Sequence, residues 1–106
     1  YVQKQYVDTH EDKALADTLR DLPFKKEITA VHQEYNAGES LESKLAHDAD
    51  QLALMIDLKY LKDRGHRSPD TWLPHVTERL KTDIAIQLAK EILSQPWDGW
   101  WRKIFC

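Results

Sequence analysis

The sequence predicts an all-α protein, and three observations carry that expectation. Apolar residues recur at helical spacing through most of the chain. Residues that start and stop helices punctuate the same stretches. No run shows the period-two alternation of a half-buried strand. The expected architecture is a bundle of four main helices followed by an aromatic C-terminal tail.

Thr9, with Asp12 three residues later, resembles a capping box, in which the hydroxyl accepts from a free backbone N–H. Ala14, Leu15, Leu19 and Leu22 follow as an apolar stripe. Pro23 ends that helix and suits the first turn of a second, over 24–36, with Phe24, Ile28, Val31 and Tyr35 on one side. Asn36, Ala37 and Gly38 supply its stop. Ser40 is a good N-cap for a long helix over 41–63, which Gly65 closes. Ser68, Pro69 and Asp70 open a last helix expected to run to Ser94, where Pro96 breaks it. Pro74 falls near its first turn, where few hydrogen bonds are lost. Trp97 to Cys106 form the short tail.

Length and composition narrow the function classes. The 106 residues suffice for one small domain, and residues 1–106 are read as part of a single helical domain. A hydrophobic share of 42% with 31% charged residues fits a globular chain rather than a disordered one. The net charge of -3 is mild and the cations are dispersed, so nucleic acid is not an expected partner. No apolar run approaches the roughly 20 residues that cross a bilayer. Cys106 is the lone cysteine, so no intrachain disulfide can form, and a cytoplasmic setting is the expectation. The chain opens on Tyr1 rather than a methionine, which leads us to expect further protein before it.

The helix over 41–63 holds the most informative pattern. Leu45, Ala49, Leu52 and Ile56 share one narrow stripe; Leu54, Leu58 and Leu61 form a second, nearly opposite. Two apolar faces predict a central helix buried between neighbours. Asp50 falls on the second stripe, with His47 and Asp57 on roughly the same side. A carboxylate buried there must be salt-bridged, hydrogen-bonded or bound to a metal, and the residues alone favour the salt bridge. His47 and Asp48 are adjacent and point about 100° apart; they read as a solvated or capping pair more readily than as metal ligands.

The segment Glu42-Ser-Lys-Leu-Ala-His-Asp-Ala-Asp50-Gln-Leu is similar to the last metal-binding segment of HD-domain hydrolases of the 5′-deoxynucleotidase type. Glu34-Tyr35, Ser40-Leu41-Glu42, Trp72, Arg79 to Asp83 and Lys90 to Leu93 also fit that family. The likeness extends from about Asp8 to Trp101. It implies that Asp50 is a metal ligand. It also implies that the other three ligands, among them the His-Asp doublet, and the N-terminal helices that bear them lie before Tyr1. His47 stands where the family commonly has lysine, so His47-Asp48 is not that doublet. The resemblance further implies a divalent transition ion (Mn, Co, Fe or Zn) that activates water and offsets phosphate charge. The implied reaction is hydrolysis of a deoxynucleoside 5′-monophosphate to nucleoside and phosphate, with no catalytic residue besides the ligand in this chain. Cyclic or hyperphosphorylated nucleotides are weaker candidate substrates. The competing function is a non-catalytic interaction or dimerisation module.

Other features have plainer readings. Trp97, Trp100 and Trp101 either seal the bundle's apolar edge or form a homodimer contact, and the first is favoured. His32, His66 and His75 lack ligand spacing and read as surface histidines. Lys59, Lys62, Arg64, His66 and Arg67 form a basic patch that reads as a solvated helix end rather than a phosphate site.

Overall fold

The computed structural model describes residues 5–105. Cys106 and the opening stretch from Tyr1 lie outside the described residues. The fold is all-α, with six helices among the described residues: α1 (Glu11–Thr18), α2 (Lys25–Ala37), α3 (Leu41–Asp63), α4 (Pro69–Glu78), α5 (Asp83–Ser94) and α6 (Gly99–Phe105). No strand occurs among the described residues.

Local chemistry accounts for several boundaries. Gly38 closes α2 in the left-handed conformation, φ 67°, which a side chain would strain. Ser40 caps α3 by accepting from Ser43 N at 3.1 Å, and its own hydroxyl donates to Glu34 Oε1 at 2.7 Å. The start of α1 departs from expectation. His10 occupies the cap position and no side chain bonds the free N–H groups there, so Thr9 and Asp12 form no capping box. Ser68 likewise precedes α4 without a side-chain cap bond, leaving Pro69 in the first turn to set the start.

The expected last helix over 69–94 is two helices. Thr82, extended at φ -107° and ψ 149°, breaks it and caps α5 by accepting from Ala85 N at 3.3 Å. The tail also gains a helix, α6, which the aromatic composition alone did not announce.

Helices α4 and α5 both pack on α3, α2 packs on it from the other end of its length, and α1 packs on α2. The core lies where α3, α4 and α5 meet: Met55, Leu58, Leu73, Val76, Leu80, Ala85 and Ala89 are buried, with Leu52, Leu54 and Ile92 against them. So α3 is covered on one side only. Leu41 (63% exposed), Leu45 (41%), Ile56 (54%) and Leu61 (36%) stay open, as do Ala46, Ala49 and Ala53. The prediction that both faces of this helix are buried is therefore corrected. The radius of gyration is 17.8 Å, against about 13 Å for a compact domain of this length. No helix among the described residues is long and apolar enough to cross a membrane.

Candidate functional site

Three polar residues of α3, His47, Asp48 and Asp50, entered as candidates, and the helix turn sends them to different surroundings. Asp50 is exposed and has no hydrogen-bond or ion-pair partner among the described residues. The expectation that burial forces a partner on Asp50 is corrected. Its assignment as a ligand then rests on the likeness of its segment; Ala46 and Ala53, one turn either way on the same side of α3, are exposed as well. Asp57, two turns along, is also exposed.

The carboxylate that is buried is Asp48, only 2% exposed. It accepts from Lys81 N at 2.9 Å, Thr82 N at 2.8 Å and Thr82 Oγ1 at 2.6 Å. Those donors lie in the break between α4 and α5, so Asp48 clamps the bend that turns α5 onto α3. Burial pushes the Asp48 carboxyl up. The three hydrogen bonds, Thr82 hydroxyl foremost, together with the Lys81 charge, outweigh burial and hold it below the ordinary 3.8.

His47 is occupied as well. Its Nε2–H donates to the Tyr35 carbonyl at 2.7 Å, its ring stacks on Tyr35 with centroids 3.9 Å apart, and Ser43 Oγ donates to the same carbonyl at 2.9 Å. Tyr35 is in the last turn of α2, whose carbonyls lack helical donors, so His47 and Ser43 close that helix end. The capping reading fits His47, whereas Asp48 is buried and holds the backbone between α4 and α5.

A cation site needs several ligands converging within bonding reach, and a lone carboxylate does not retain a transition ion. Asp50 stands alone, His47 and Asp48 are spent on backbone groups, and no group of three or more His, Cys, Asp or Glu able to hold a metal occurs among the described residues. These residues by themselves do not fit the expected metal, and no chemical step through it can be derived from them.

One polar pair was not anticipated. Lys59, read from sequence as part of a solvated helix end, is 9% exposed, and its Nζ lies 2.6 Å from both Asp63 oxygens. Asp63 Oδ2 also accepts from Trp97 N at 2.8 Å, tying the tail to the end of α3. The Lys59 hydrogen bond holds the Asp63 carboxyl low against the opposing effect of burial, with the Trp97 N–H and the Lys59 and Lys62 charges adding to it. Two further cations of the patch are engaged nearby: Lys62 meets Asp70 at 3.1 Å, and Arg64 donates to the Tyr60 hydroxyl. An i, i+4 Lys-Asp spacing at 59 and 63 was the available signal. The tail's first residue does fold back, Trp97 meeting Tyr60 edge to face at 4.8 Å, while Trp100 and Trp101 remain exposed.

Set beside known proteins, residues 1–92 match the family model described as HD domain. No curated protein and no solved structure matches the chain.

Proposed function

This chain belongs to the HD-domain family, and on that premise we propose that it forms part of a metal-dependent phosphohydrolase acting on deoxynucleoside 5′-monophosphates. Asp50 is its contribution to the metal. The observation that carries this reading is an exposed carboxylate without a partner among the described residues, flanked one turn either way on α3 by the exposed Ala46 and Ala53. A helix that covers the Ala46 and Ala53 side of α3 also covers Asp50, and a carboxylate buried in that way requires a cation or a hydrogen-bond donor beside it. Residues outside the described ones supply the other ligands on this reading, because the described residues hold no ligand cluster. The nucleotide preference rests on the likeness of the Glu42–Leu52 segment to the 5′-deoxynucleotidase type.

The test uses the full-length polypeptide, a panel of deoxynucleoside 5′-monophosphates and release of inorganic phosphate in Mn, Co, Fe or Zn. Asp50→Asn is expected to abolish both turnover and metal binding measured by calorimetry, while far-UV circular dichroism stays unchanged. Parental turnover in that variant refutes the reading.

A second reading has one observation in its favour. Several apolar residues of α2 and α3 are exposed, Ile28 and Val31 together with Leu41, Leu45 and Ile56, as is Phe24 at the start of α2, and such surface marks a contact. On that reading the chain is a non-catalytic interaction or dimerisation module. A full-length protein that binds none of the four metals yet self-associates favours it.

A further inference from the structure

At the C-terminal end of α3, away from the core, a groove of about 510 Å³ opens between α3, α5 and the tail. That volume falls in the range of small-molecule sites. Tyr60, Trp97 and Trp100 line it, with Asp57 from α3 and Glu91 from α5. The groove therefore combines aromatic rings with two carboxylates contributed by different helices.

The charge of the groove can be counted. Lys59 also lines it, but both Asp63 oxygens lie 2.6 Å from its Nζ, so that cation is neutralised within the wall. Asp57 has no ion-pair partner among the described residues, and Glu91 has only the Gln95 side-chain amide, 3.3 Å from Oε2. Two negative charges are left without a counter-ion. The rings of Tyr60 and Trp97 meet at 87°, so a guest finds π faces turned in perpendicular directions. The Arg64 guanidinium already lies 5.2 Å from the centre of the Tyr60 ring, within cation–π range. Trp100 lines the groove beside Trp97 and also meets Trp101 edge to face at 5.6 Å.

We propose that this groove binds a small organic cation with an aliphatic body, of the alkylammonium or polyamine class, with the Trp97 and Trp100 rings and the Asp57 and Glu91 carboxylates as its recognition elements. The proposal is independent of Asp50 and of any phosphohydrolase activity. An anion is disfavoured by the two carboxylates, and a neutral alkane draws nothing from them.

The probe is hexyltrimethylammonium, added to the ¹⁵N-labelled chain and followed by the indole N–H resonances of its four tryptophans. Saturable shifts are expected at Trp97 and Trp100 and not at Trp72, with Kd about 1 mM or below for a ligand of this size. Trp97→Leu is expected to weaken binding about 2- to 30-fold, the range of a cation–π contact. Because Trp97 also anchors the tail, Glu91→Gln is the companion variant. Glu91 is exposed, so that change leaves the fold intact, and it too must weaken the cation. The proposal is overturned if 1-hexanol or hexanoate binds as tightly as hexyltrimethylammonium. It is equally overturned if Glu91→Gln binds the cation like the parent, if Trp72 responds instead, or if only a lysine-rich peptide shifts the two resonances.

Discussion

Replacing Asp48 with alanine removes the acceptor for Lys81 N, Thr82 N and Thr82 Oγ1, at 2.9, 2.8 and 2.6 Å. A hydrogen bond to a charged group contributes about 1.5–3 kcal/mol. The sum does not apply in full, because Lys81 is exposed and Thr82 half-buried, so water reaches some of the released donors. A net cost of about 2–4 kcal/mol is expected. Asp50→Ala, two residues along the same helix, removes an exposed group with no partner and is expected to stay within about 0.5 kcal/mol. The assay is urea unfolding followed by circular dichroism, comparing midpoints at constant slope. The pH dependence adds a second handle. Asp48 and Asp63 are both held below the ordinary 3.8 in the folded chain. A depressed folded value means their contribution is complete above 3.8 and is lost as the pH falls through the lower folded values. Asp48→Ala should therefore lose part of the acid-induced fall in stability below 3.8. Equal costs for the two alanine variants, or an unchanged acid limb in Asp48→Ala, would refute the clamp.

Met55 is fully buried at the centre of the core, so Met55→Ala should cost about 2–5 kcal/mol in the same urea assay. Gly38→Ala forces a side chain into φ 67° with its Cβ 3.3 Å from Lys81 Nζ. That amine is the mobile end of a lysine, so the backbone cost of about 1–2 kcal/mol decides the outcome, read as a lowered thermal midpoint. Lys59→Met takes the cation from Asp63 and leaves the Trp97 N–H, so the Asp63 carboxyl should titrate higher by carbon-detected NMR; an unmoved titration contradicts the pairing.

Legibility differed from element to element. The bounds of α3 followed from Ser40 and its neighbours because a cap is a short-range device: the hydroxyl reaches Ser43 N within one turn. Gly38 was readable for the same reason. The division at 79–82 was not, although Thr82-Asp83 is itself an N-terminal signal, because apolar spacing continues through it and the bend is held by Asp48, 34 residues before Thr82. That Asp48 rather than Asp50 is the buried carboxylate was not legible either. Helical geometry places them about 200° apart, and period alone does not say which side a neighbouring helix will cover.

From its sequence alone the chain was an all-α protein with a long third helix, because caps, breakers and 3.6-residue periodicity act over a few residues; the HD-type reading came from the resemblance of the Glu42–Leu52 segment. Tertiary structure decided which side of that helix is dry: α4 and α5 cover Met55, Leu58 and Asp48, while Asp50 and its apolar flank remain open. Burial is a property of the packed neighbour rather than of the residue, so it became visible only when the helices met.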